Sequence, residues 1–214
     1  KNPDPEASLE RQMTIRFLPL EFKQALQQTA KNLQCSLATL FLTVYSCVQG
    51  DYEGEGYVIL CFHNRCTEKI RNATGYVCDS LLVPKQLGVN MTEFATALSH
   101  TQTAFNAALA HFLPIHFLTG ELMGKDFIRQ KRRLGASLDF MTFTENLDWQ
   151  TLKPQLSTSL SHVEPCDRMV LFVWLLSDGI GLGLNFNAEE DEAWGEDWLD
   201  DFTQRLSSLT HSVI

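Results

Sequence analysis

Tyr57-Val58-Ile59-Leu60-Cys61-Phe62-His63-Asn64-Arg65 and, shortly after it, Thr74-Gly75-Tyr76-Val77-Cys78-Asp79-Ser80-Leu81-Leu82 are the two runs whose reading decides the fold. The first is apolar without interruption through Phe62, the pattern of a central strand covered on both faces, and polarity returns at His63. The second predicts a strand over 76–83 that Pro84 ends. Between the preceding helical pattern and Tyr57 lies a loop over 51–56, with three acids and two glycines.

Upstream, residues 11–18 alternate as a half-buried strand does, and Pro19 opens a helical pattern through Phe22, Leu26, Thr29 and Leu33. Ser36 is placed to cap a second helix, apolar at Leu37, Leu40, Phe41, Val44, Tyr45 and Val48, with Gly50 as its expected stop. Downstream, a long helix is predicted from near Asn90, with Glu93 three residues on as in a capping box. Its buried face would be Phe94, Leu98, Thr101, Phe105 and Leu109. Pro114 starts a shorter helical segment through Phe117, Leu118 and Leu122, and residues 134–143 read as a strand. Residues 144–165 read as a polar, irregular surface connection.

Two further apolar runs, 168–176 and 180–186, flank Asp178-Gly179, a dipeptide that suits a tight hairpin through positive φ angles. The chain closes on an amphipathic helix with Trp194, Trp198, Phe202, Leu206, Leu209 and Val213 on one face. Strands and helices in this order predict an α/β (α+β) sandwich, a mixed β-sheet with flanking helices. Residues 1–10 read as a polar, Pro-bearing linker and 11–214 as one domain, a piece of something longer.

The net charge of -9 is concentrated near the C-terminus, at Glu189, Glu190, Asp191, Glu192, Glu196, Asp197, Asp200 and Asp201, which argues against nucleic acid as a partner. The basic cluster Lys125, Arg129, Lys131, Arg132 and Arg133 reads as a solvated face. No apolar run is long enough for a membrane span, so no membrane partner is expected. The six cysteines are irregularly spaced, most of them in apolar segments, which fits free thiols in a reducing cytoplasm. Cys61, His63 and Cys66 lack a second Cys/His pair at zinc-site spacing, so no metal is expected. No nucleophile elbow, phosphate loop or metal-binding helix motif occurs, and the six histidines carry no motif that assigns them a role.

The succession of pieces resembles the C-terminal lobe of a condensation domain from non-ribosomal peptide synthetases, in the chloramphenicol-acetyltransferase-like superfamily of CoA-dependent acyltransferase folds. The resemblance covers nearly the whole chain and rests on the helix ending near Gly50, on His63-Asn64-Arg65, on Gly75-Tyr76-Val77-Cys78-Asp79-Ser80-Leu81, on Ala110-His111-Phe112-Leu113-Pro114-Ile115, and on the terminal hairpin and acid-rich helix. Val77 stands where Phe is usual, Asp79 where Asn is usual and Pro84 near an expected Arg. These departures fit a divergent member, such as one from a siderophore pathway or a catalytically silent one.

The resemblance implies two lobes enclosing a tunnel, in which an acceptor amine attacks a donor thioester. Both substrates would be presented on phosphopantetheine by peptidyl or acyl carrier proteins, with no cofactor bound directly. The family's catalytic His-His-x-x-x-Asp-Gly motif belongs to the other lobe, and no His-His pair occurs here. No catalytic residue is therefore expected in this chain, and amide-forming condensation is expected only together with the N-terminal lobe. Arg65, with Asn64, would support the active site by pairing with the motif's Asp. Gly75, Val77, Asp79 and Leu81 are candidates for the tunnel or the lobe interface, with tunnel and core both open for that face. Adjacent synthetase domains are further expected partners, and the isolated lobe is expected to dimerise through an exposed apolar face. A non-catalytic docking module is the alternative.

Overall fold

The computed structural model describes residues 11–63, 78–88, 93–111, 136–142, 147–159, 169–187 and 192–211. In chain order these form β1 (Arg11–Pro19), α1 (Leu20–Asn32), α2 (Leu37–Glu53), β2 (Tyr57–His63), β3 (Cys78–Pro84), α3 (Phe94–Ala110), β4 (Ala136–Thr142), α4 (Trp149–Ser159), β5 (Met169–Leu175), β6 (Gly179–Asn187) and α5 (Glu192–His211). The strands make one six-stranded sheet in the order β1-β6-β5-β4-β2-β3. Strands β2, β4 and β5 run parallel, while β3 pairs antiparallel with β2, and β6 with both β5 and β1. This is the expected mixed sheet with flanking helices.

Alternation along each strand divides the side chains between two faces. On one face Leu60, Leu81, Leu138, Leu171 and Leu182 meet α1, α2, α3 and α5 through Leu26, Phe41, Tyr45, Leu98, Trp198 and Phe202. Burial of each such side chain contributes about 1.5–3 kcal/mol before entropy is counted. Helix α2 is at the centre of this layer, with every residue from Thr39 through Gly50 buried. Its N-terminus is as expected, since Ser36 Oγ accepts the Thr39 N–H at 3.0 Å. Its end is not.

Helix α2 runs past Gly50 to Glu53, and Gly54, at φ 74, is the capping residue, its N–H bonding to the Gly50 carbonyl. Gly50 is required for a different reason. A Cβ there would lie 1.9 Å from the Gln86 carbonyl oxygen, because the helix closes on the segment that follows β3. Nearby, the Lys85 Nζ pairs with Glu53 at 2.6 Å with little exposure on either side. Helix α3 begins at Phe94 with Glu93 at its cap position and no side-chain capping bond from it; Asn90, the other half of the expected capping box, lies outside the described residues. Phe94, Leu98 and Thr101 are buried as expected, but Leu109 is 40% exposed. The segment after Pro114 lies outside the described residues.

The largest correction concerns the supposed connection over 144–165, which contains α4. Asp148 caps it locally, accepting the Thr151 N–H at 2.8 Å, and Trp149, Leu152 and Leu156 bury one stripe. That stripe packs on the second sheet face against Phe172 and Trp174, with Met13, Ile15 and Phe17 alongside. The β5–β6 hairpin forms as expected, closed by the Leu176 N–H to the Gly179 carbonyl at 3.0 Å. Its turn, however, does not use positive φ, which among the described residues occurs only at Gln34, Gly54, Gly56 and Gly88. Gly179 is needed because β1 crowds it: a Cβ would lie 2.2 Å from the Leu18 carbonyl and 2.7 Å from the Phe17 ring.

Candidate functional site

Strands β2 and β4 are parallel neighbours, so their carboxyl ends reach the same edge of the sheet. In open mixed sheets that edge is where ligands are met, because the strands stop there and the loops diverge. Strand β2 ends at this edge with His63. Asn64, Arg65, Gly75 and Val77 lie outside the described residues. Asp79 stands opposite Phe62 in the β2–β3 register. Leu81, opposite Leu60, is 3% exposed and belongs to the main core, so of the two settings open to it the core is the one it occupies.

The sheet face opposite α1, α2, α3 and α5 is chemically divided. One cross-strand row runs Ser80, Cys61, Asp139, Phe172, Gly183, Ile15 from β3 to β1. On β5, β6 and β1 the row is apolar and belongs to the layer under α4. On β3, β2 and β4 it carries a hydroxyl, a thiol and a carboxylate, all half-buried, with the fully buried Ser137 in the next row. Register places these three side chains side by side on neighbouring strands, one polar row on this face. Tyr45 fixes the backbone beneath it, its hydroxyl donating to the Ser137 carbonyl at 2.9 Å through the core.

Sequence reading did not find this strip. Its signal was present, since Ser137 and Asp139 alternate with Ala136, Leu138 and Phe140, but the value of those positions depends on β2 being their neighbour. The two histidines with described side chains, His100 and His111, are exposed on and just after α3, away from this row. Among the described residues no group of three or more His, Cys, Asp or Glu is arranged to hold a metal, and no helix is long and apolar enough to cross a membrane.

Cys35 and Cys47 are free thiols. Burial raises the Cys35 thiol above its usual range and pushes Cys47 up to about 12, with Arg205 lowering and Asp51 raising the latter to smaller extents. Neither has the depressed pKa of a reactive thiolate.

No family model and no curated protein matches the chain. Solved structures do. One is a structure on condensation domain-mediated chain release from the enacyloxin polyketide synthase, with TM-score 0.72 and 14% identity over 95% of this chain and 42% of that one. The first condensation domain of the CDA synthetase gives TM-score 0.67 and 15% identity, covering 98% of this chain and 47% of that one. The condensation domain from Monacolin K polyketide synthase MokA gives 0.71 and 11%, covering 99% and 50%. The fold is thus the one found in part of these condensation domains, and the chain spans about half the length of each.

Proposed function

We propose that this chain is the C-terminal lobe of a condensation domain that forms amide bonds between acyl or aminoacyl groups carried as thioesters, and that the catalytic His-His-x-x-x-Asp-Gly comes from a companion lobe. One observation carries the reading: nearly all of this chain superimposes on about half of several condensation domains despite identities of 11–15%. In this reading Arg65, leaving the carboxyl end of β2, holds the companion lobe's Asp by a charge-assisted hydrogen bond and so shapes the catalytic loop. Asn64 supports the active site beside it, and Gly75, Val77 and Asp79 belong to the tunnel or to the lobe interface. The acceptor amine is deprotonated or oriented by the companion histidine, and carrier proteins bring both substrates on phosphopantetheine.

The test is reconstitution with a companion lobe bearing the histidine motif, using carrier-bound aminoacyl thioesters and mass detection of the amide. Turnover by the pair, none by this chain alone, and a large loss on Arg65→Ala with the fold retained are the expected results. Unchanged turnover in Arg65→Ala removes that residue's assignment. Binding of the carriers by the pair without any turnover favours a non-catalytic docking module.

A further inference from the structure

We propose that the strip formed by the end of α2 and the start of α5 docks a segment of another protein bearing arginine or lysine side chains, with Tyr52 as its aromatic contact and Asp197 as its open carboxylate. Tyr52 is the second-to-last residue of α2 yet 43% exposed. It is held in place rather than loose, because its ring stands edge-on to Trp194 at 6.3 Å and 88°, and Trp194 rests on the buried Phe186 at 5.3 Å. A positioned, solvent-facing aromatic ring costs little entropy on binding.

The charge around it is not balanced. Asp51 and Asp201 share one guanidinium, Arg205, which meets Asp51 at 2.8 Å and Asp201 at 2.9 Å. Asp197 makes no ion pair among the described residues and is exposed. Among the described residues these three carboxylates face one guanidinium, an excess of two negative charges. Asp197 follows Trp194 by three residues on α5 and so shares the helix face that Tyr52 meets, and burial together with the fields of Asp201 and Asp197 raises the Tyr52 phenol against a smaller opposing effect of Arg205. An aromatic ring beside excess carboxylate favours a cation twice over, through the ring's quadrupole and through direct charge complementarity. Guanidinium suits it best, since a planar group can stack on the ring while donating to a carboxylate.

This site is independent of the amide-forming reading. The experiment is fluorescence anisotropy of a labelled peptide of alternating arginine and glycine, titrated with the protein at about 50 and 150 mM salt. Saturable binding is expected, weakened about fivefold by Tyr52→Leu and by Asp197→Asn and retained in Tyr52→Phe, which keeps the ring. Glu21→Gln, an exposed acid on α1, is expected to leave binding unchanged. Three results would overturn the proposal. Tyr52→Leu could bind as the parent does, or Glu21→Gln could weaken binding as much as Asp197→Asn does, which would mean charge alone. Sedimentation could also show the protein pairing with itself through Tyr52, which would make a second copy the occupant. Thermal melts of each variant verify that the fold is intact.

Discussion

The carboxylate of Asp178 accepts the main-chain N–H of Trp149 with both oxygens, at 3.1 and 3.2 Å, across 29 residues of sequence. The neighbouring Ser177 adds its own N–H to the Leu147 carbonyl at 2.9 Å, so the hairpin turn clasps the entry of α4. Asp178→Ala is expected to cost about 1 kcal/mol, and Asp178→Asn less, because Asn also accepts at a helix start. The loss should appear as faster amide exchange in α4 ahead of the rest of the molecule. Equal exchange in both variants and the parent would mean that α4 is held by its apolar stripe alone.

Gly50 and Gly54 separate two uses of glycine in one helix. Gly50→Ala drives a Cβ into the Gln86 carbonyl, a main-chain atom that cannot swing aside, so the loss should far exceed the ~1 kcal/mol of an average substitution. Gly54→Ala meets no atom within 4 Å but must keep φ 74, a cost of about 1–2 kcal/mol. Urea midpoints of the two variants should rank in that order.

Gly183→Ala places a Cβ 2.4 Å from the Trp174 ring and 2.5 Å from Met13. Met13 can move, whereas Trp174 is 2% exposed and stacked on Phe172 at 5.7 Å. Overpacking of about 1–3 kcal/mol is expected, with a changed near-ultraviolet circular dichroism signal from the displaced indole. An unaltered spectrum would show that the methionine absorbs the whole clash.

Cys47 gives an alkaline dependence of known sign. Burial raises its pKa from the ordinary thiol value of 9.0 to about 12, so the fold favours the neutral thiol. That contribution is complete below about pH 9 and is lost as pH rises toward about 12. Cys47→Ala should lower stability at neutral pH through the cavity it leaves, yet fall less steeply than the parent between pH 9 and 11. Parallel curves would remove Cys47 from the account. The native thiol should also resist alkylation at pH 8.

The elements most legible from sequence were those whose own pattern decides them. Ser36 and the apolar period defined α2, the alternation around Asp178-Gly179 defined the hairpin, and Trp198, Phe202 and Leu206 defined α5. What failed depends on neighbours far away in sequence. Pro154 within α4 and its polar exposed side disguised a helix whose apolar stripe is only three residues wide. Gly50 looked like a stop because its packing partner is Gln86, and Gly179 looked like a turn residue because its constraint is Leu18. For the site, Leu81 was placed on the right strand with its face left open, and the Ser80–Cys61–Asp139 row could not be read before β2 and β4 were known to be adjacent.

The pairing of β1 with β6, Arg11 opposite Asn187, also carries a consequence for synthesis. A chain grows from its N-terminus, and β1 is made first among the described strands, yet its partner is the last of them. Until Gly179 and the residues after it have left the ribosome, the nine residues of β1 wait without the neighbour that fixes their register. Closure of the sheet is therefore a late event in translation, and a product cut short before β6 would leave that strand free to pair with another nascent chain.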